Sequence, residues 1–185
     1  LDESARQRGQ AVLDRFPSVA VEAYHIDNVI HVVRPNAISR QHEHMTHVSL
    51  TEAPSLPEVP LPLGKLLFEA DHGVLEEVLA FLTAEGWAED YELIFSVSHL
   101  LEMTTRGASK GGMIRRLAAR LGISMDHVYC AGDEANDLSM LRIAARGFAP
   151  ANASAAVLES GATVVRHARE GAIADVVEIL DRKYS

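Results

Sequence analysis

Two short stretches of this 185-residue chain carry residue types that can do chemistry together. The first is Gly132-Asp133-Glu134-Ala135-Asn136-Asp137, directly after the apolar run Val128-Tyr129-Cys130-Ala131. That run reads as a short buried strand, and open parallel sheets bind ligands beyond the carboxyl ends of their strands. Asp133 falls at such an end, and Gly132 lets the backbone turn sharply before it. Carboxylate oxygens in this place suit Mg²⁺, which takes a few carboxylates, waters and substrate phosphate oxygens. Asp137 opens the next helix, where it can cap that helix or orient the shell of the ion. Asn136 can hydrogen-bond a phosphate without adding negative charge. The same letters also describe an acidic turn in which Asn136 or Asp137 is only a helix cap.

The second stretch is Ser109-Lys110-Gly111-Gly112, at the start of a helix. The helix macrodipole is positive there and mildly disfavours a cation, so helix propensity does not explain Lys110. Anion binding does: the ammonium and the first-turn N–H groups together can neutralise a phosphoryl group. Gly111 and Gly112 remove side chains where something must approach closely. An exposed surface lysine is the plain alternative.

The elements around these stretches fall into two grammars. Residues 1–105 read as αββαβαββ, an α+β unit with a mostly antiparallel sheet: a polar helix to Phe16 stopped by Pro17, and a hairpin turning at Asp27-Asn28. A helix over Asn36–Met45 follows, then a Pro-rich loop, a strand at Leu66–Phe68 and a helix from Gly73 to Glu85. Two strands, Tyr91–Val97 and Leu100–Thr105, complete the unit. Residues 106–185 switch to βαβα alternation, the rhythm of a parallel sheet wrapped by helices. Its helices are expected over Ser109–Leu121, Asp137–Ala145, Ala153–Ser160 and Ala172–Leu180, and its strands at His127–Ala131, Phe148-Ala149 and Thr163–Val165.

Taken together, Ser109-Lys110-Gly111-Gly112 and Gly132-Asp133-Glu134-Ala135-Asn136-Asp137-Leu138-Ser139-Met140-Leu141 resemble the haloacid dehalogenase (HAD) superfamily, in particular its Cof-like phosphatases with a large α/β cap. Lys110 matches the third motif of that family, and Asp133, Asn136 and Asp137 match its fourth. Asn152-Ala153 and Glu170-Gly171-Ala172 stand where the family carries its following segments, and residues 1–105 are similar to its inserted cap. The resemblance implies an α/β fold: the C-terminal part of a Rossmann-like HAD core over 106–185 plus an α+β cap domain over 1–105. It also implies Mg²⁺-dependent hydrolysis of small, sugar-phosphate-like monoesters through an aspartyl-phosphate. On that footing Lys110 and Asp137 are the catalytic residues and Lys110 and Asn136 bind substrate. Asp133 ligates Mg²⁺, with Asp137 in support of the metal.

The family's first motif, Asp-x-Asp-Gly-Thr, which holds nucleophile and general acid/base, does not occur in the 185 residues. With Leu rather than Met at position 1, the expectation is an inactive fragment, truncated at its N-terminus, of an active parent phosphatase. A naturally shortened phosphate-binding or regulatory module and a phosphomutase on the same scaffold are the alternatives. A sheet lacking its first strand exposes an edge, so self-association, or association with the missing segment, is expected as well.

Composition narrows the partners. Lys and Arg total 17 against 26 Asp and Glu, a net charge of −9, which disfavours nucleic acid and anionic membrane surfaces. A small phosphorylated metabolite remains the expected partner, with Mg²⁺ and Lys110 supplying local positive charge. No apolar run is long enough to span a membrane, and the expected setting is cytoplasmic. The lone Cys130 excludes a disulfide within the chain and reads as a buried small hydrophobe. Trp87, His127 and Tyr129 read as packing residues. His42, His44 and His47 cluster in a helix where only 44 and 47 share a face, which favours a solvated surface over a shared metal site. Because the cap of the resembled family closes over its active site, the resemblance makes Arg40 or one of these histidines a candidate substrate contact.

Overall fold

The computed structural model describes all residues from Leu1 to Ser185. The chain divides into two compact units, Leu1–Gly107 and Ala108–Ser185.

The first unit holds α1 (Glu3–Arg15), β1 (Ala20–His25), β2 (Ile30–Val33), α2 (Ala37–Thr46), β3 (Leu50–Glu52), β4 (Leu63–Glu69), α3 (His72–Ala84), β5 (Tyr91–Val97) and β6 (Leu100–Thr105). Its six-stranded sheet runs β3-β2-β1-β4-β6-β5, with every neighbouring pair antiparallel except β2 and β3. Strand alternation sends Val21 and Ala23 of β1, Leu66 and Phe68 of β4, and Leu101 and Met103 of β6 to one face. There they pack with Val12 and Leu13 of α1 and Leu75, Val78 and Leu82 of α3 into one buried cluster. The opposite face carries Glu22 and Glu69, onto which α2 directs His42.

The second unit holds α4 (Lys110–Leu121), β7 (Tyr129–Ala131), α5 (Leu138–Leu141), β8 (Arg146–Pro150), α6 (Ala155–Leu158), β9 (Thr163–Val165) and α7 (Ala172–Tyr184). Its three strands form a parallel sheet in the order β7-β8-β9. Phe148 and Ala149 of β8 and Val157 of α6 are fully buried. No helix of either unit is long and apolar enough to cross a membrane.

Several local expectations change. Strand β3 was not anticipated, because three residues carry no readable alternation and their parallel partner, Ile30 to Val32, lies well upstream. Helix α5 is a single turn instead of a helix to Ala145, since Ala145 N–H is drawn to Val128 O at 2.8 Å and the chain returns to the sheet. Residues Met125–His127 form a 3-10 turn capped by Ser124, so the following strand begins only at Tyr129. His42 and His44 of α2 and His47 at its C-terminal cap do not act alike. His44 and His47 lie exposed with ring centroids 6.4 Å apart, whereas His42 turns onto the sheet and is half-buried. The guanidinium of Arg40 is engaged by Glu43 and Glu52. Cys130 is buried, as expected of a small hydrophobe.

Candidate active site

The loop after β7 is built around one carboxylate. Gly132 N–H donates to Phe148 O at 3.1 Å, which continues the β7–β8 pairing one residue past the strand. The chain then folds over Asp137, whose Oδ2 accepts the backbone N–H of Asp133 at 2.9 Å and of Glu134 at 3.1 Å. Glu134 in turn caps the 3-10 turn Ala135–Asp137, so the pair forms a reciprocal capping box. Only a residue without a side chain fits at 132. A Cβ there would lie 2.4 Å from Asp137 Cβ and 2.7 Å from its Oδ2.

Lys110 reaches this loop from the first turn of α4. Its Nζ lies 2.5 Å from Asp137 Oδ1 and 3.5 Å from Asn136 Oδ1, while half of its side chain stays exposed. Asp137 is only 3 % exposed. Its burial alone would raise the carboxyl pKa. The Lys110 ammonium and the N–H groups of Glu134 and Asp133 outweigh that and hold it below its usual value.

Lys110, Asn136 and Asp137 therefore meet at the loop that also carries Asp133. Both oxygens of Asp137 accept hydrogen bonds, one from Lys110 and one from two backbone N–H groups, so Asp137 supports the loop. Asp133 does the reverse: its main chain is tied down, with N–H to Asp137 and O accepting Ser154 N–H at 2.8 Å, while the residue itself lies exposed at the strand end. An exposed carboxylate on a held backbone can serve as a hard-oxygen ligand for Mg²⁺, which binds through one or two carboxylates plus waters. The first-turn N–H groups of α4 also differ from expectation. Gly111 N–H donates to Ser139 Oγ at 3.0 Å and Gly112 N–H to Ser109 Oγ at 3.2 Å, so neither is free for a phosphate. Gly111 instead allows α4 to touch the backbone of α5, since a Cβ there would sit 2.2 Å from Ser139 O. Sequence reasoning missed Ser139; its only trace was the Gly111-Gly112 pair, which signals a close approach without naming the neighbour.

The downstream segments brace the same end of the sheet. Asn152 Oδ1 accepts Ala168 N–H at 2.8 Å, and Gly171 adopts a φ of 94° where the chain enters α7. A cavity of about 200 Å³ opens beside Asp133, walled by Phe148, Pro150, Val165, Ala172 and Ile173. Such an apolar wall suits packing against other apolar groups rather than cradling a phosphate.

Residues 11–177 match the sequence profile of the haloacid dehalogenase-like hydrolases. The chain belongs to that family. Among curated relatives, phosphatase YwpJ of Bacillus subtilis is 39% identical over 98 residues, covering 47% of this chain and 34% of the relative. HMP-PP phosphatase of Cronobacter sakazakii is 34% identical over 89 residues, covering 48% of this chain and 32% of the relative. The chain thus spans about a third of the length of these relatives. Among solved structures, the HAD subclass IIB sugar phosphatase BT4131 superposes with a TM-score of 0.83 at 20% identity, over 98% of this chain and 67% of that one. SMU.1108c from Streptococcus mutans gives 0.84 at 18% identity, over 97% and 68%. At these identities the structural likeness shows the fold: a Rossmann-like α/β arrangement joined to a mainly antiparallel α+β unit.

Proposed function

We propose that the chain carries the lysine and acidic-loop half of a phosphate-monoester hydrolase site, with small sugar-phosphate-like metabolites as substrates. The observation that supports it most is the convergence of Lys110 with Asn136 and Asp137 at the loop that also carries the exposed Asp133. Lys110 binds and steadies the phosphoryl group, its ammonium held in place by Asp137. The Asn136 amide hydrogen-bonds a phosphate oxygen. Asp133 holds Mg²⁺, which when bound supplies positive charge against the substrate phosphate. Asp137 keeps the loop closed and Lys110 aimed. The substrate class rests on the names of the relatives, a sugar phosphatase and an HMP-PP phosphatase.

The nucleophile is the missing part. No Asp-x-Asp-Gly-Thr lies within the 185 residues, and we place it outside them. The chain by itself therefore binds phosphate without turning it over. Residues 1–105 serve as the cap and 106–185 as the core portion, in keeping with the change of sheet type between the two units. Isothermal titration of inorganic phosphate in the presence of Mg²⁺ tests the binding half: saturable binding is expected, weakened at least tenfold by Lys110→Met, and equal binding by both proteins would refute it. Mg²⁺-dependent turnover of p-nitrophenyl phosphate by the pure chain, abolished by Asp133→Ala, would show that a nucleophile is present after all.

A further inference from the structure

The first unit buries two carboxylates on one sheet face with too few partners. Ala20 pairs with Glu69 and Glu22 with Leu67 in the antiparallel register of β1 and β4, so Glu22 and Glu69 are diagonal neighbours on the same face. Both are 0% exposed, amid the buried Ala20, Val32 and Leu67. Burying one carboxylate costs several kcal/mol unless it is neutralised or well hydrogen-bonded, and like charges side by side add to that.

The available partners do not suffice. Glu22 Oε2 accepts the Tyr24 hydroxyl at 2.7 Å, and Glu22 Oε1 lies 3.1 Å from His42 Nδ1. Neither oxygen of Glu69 has a hydrogen-bond partner, and the same His42 Nδ1 lies 3.4 Å from its Oε1. One imidazole nitrogen carries at most one proton and cannot serve two carboxylates. Lys65 is occupied elsewhere, 3.5 Å from Glu102 and 4.3 Å from the centre of the Tyr24 ring.

From this geometry we propose that Glu22, His42 and Glu69 form a three-ligand site for a divalent transition metal, Zn²⁺ being the best match. One ligand atom from each residue lies within 4.8 Å of the others. Ligands about 2.0–2.1 Å from a tetrahedral ion stand roughly 3.3 Å apart, and the two His42–carboxylate separations, 3.1 and 3.4 Å, bracket that edge. An imidazole among the ligands selects against Mg²⁺ and Ca²⁺, which take oxygen, and favours Zn²⁺ and its first-row neighbours. The Tyr24 hydroxyl fixes the Glu22 carboxylate through its other oxygen, as outer partners of metal ligands do. A +2 ion also balances the two buried charges that a single imidazole leaves uncompensated. Access is from the His42 side, whose side chain is 22% exposed. Without an ion, burial and the neighbouring Glu22 push the Glu69 carboxyl up to about 8, so the alternative occupant of the trio is a proton. This site is separate from the phosphate-site reading and does not rest on it.

The test is titration of the chelator-stripped chain with Zn²⁺ against a competing indicator, and with Co²⁺ followed by its visible d–d bands. One equivalent bound with a tetrahedral Co²⁺ spectrum is expected for the parent chain. His42→Ala and the isosteric Glu69→Gln are each expected to weaken binding at least tenfold, with Trp87 fluorescence unchanged as the sign of an intact first unit. His44→Ala and His47→Ala leave the spectrum as it is. No stoichiometric binding by the parent chain overturns the proposal, as does binding that survives both His42→Ala and Glu69→Gln. Loss of the spectrum in His44→Ala or His47→Ala overturns it too, by moving the ion to the exposed histidine pair.

Discussion

Gly132→Ala is the sharpest probe of the loop that carries the acidic residues. The new Cβ would lie 2.4 Å from Asp137 Cβ, 2.6 Å from its Cγ and 2.7 Å from its Oδ2. Comfortable carbon–carbon contact is about 3.5–4.0 Å, so the Asp137 side chain must retreat by more than an ångström. It cannot do so and still accept from Asp133 and Glu134 N–H at 2.9 and 3.1 Å while meeting Lys110. Hydrogen bonds to a charged group are worth roughly 1.5–3 kcal/mol each. Losing one outright and bending the other gives a cost of about 3 kcal/mol, a large share of a stability that is typically about 5–15 kcal/mol. Hydrogen exchange followed by mass spectrometry on peptides covering 128–141 reads this directly, and faster exchange there is expected. Trp87 fluorescence reports on the first unit and stays at its parent value. Gly73→Ala, where a Cβ meets nothing within 4 Å, is the control. Parent-like exchange over 128–141 in Gly132→Ala would refute the claim that Asp137 organises the loop through the space glycine leaves.

Other outcomes follow from the same contacts. Gly111→Ala drives a Cβ to within 2.2 Å of Ser139 O and 2.6 Å of its carbonyl carbon; backbone yields less than a side-chain tip, so a loss of about 3 kcal/mol is expected in urea unfolding followed by circular dichroism, and an unchanged midpoint would count against the helix contact. Because the folded pKa of Asp137 is depressed, its ionised form contributes stability above the unfolded carboxylate value of about 3.9, and that contribution is lost as pH falls through the folded value. The stability gap between the parent chain and Asp137→Asn should therefore be constant near neutrality and close on acidification; a gap independent of pH would remove the Lys110–Asp137 pair as its source. Strand β7 has a partner on one edge only, and Met113, Leu117 and Leu121 of α4 are exposed, so the isolated chain is expected to associate. A monodisperse monomer in dilute light scattering would contradict this.

The legible part of the site was local. Asp133 at a strand end, Asn136 and Asp137 in the turn after it, and Lys110 at a helix start could all be read, because each is defined by neighbours a few residues away. The division of labour among them could not. That Asp137 spends both oxygens on Lys110 and two backbone N–H groups depends on how α4 lies against α5, which joins residues 27 apart in sequence. The same helix contact explains why Gly111 does not offer its N–H group to a phosphate, while that of Gly112 is taken locally by the Ser109 cap. The α2 histidines show the limit most clearly: spacing grouped His44 with His47 correctly, yet gave no hint that His42 faces the sheet.

What the sequence by itself determined is the periodicity of its elements, the change from an antiparallel to a parallel pattern after Thr105, and the identity of the candidate residues at the loop after β7. Those properties are set by side-chain type and by rules acting within one helix turn or strand. The tertiary structure decided which polar groups share a partner. Glu22 and Glu69 look like ordinary solvent-facing positions of alternating strands until the β1–β4 register sets them diagonally and α2 closes over them with His42. Convergence of that kind is written in strand register and helix placement, and it creates the buried charge imbalance because two carboxylates from different strands are brought to a single imidazole.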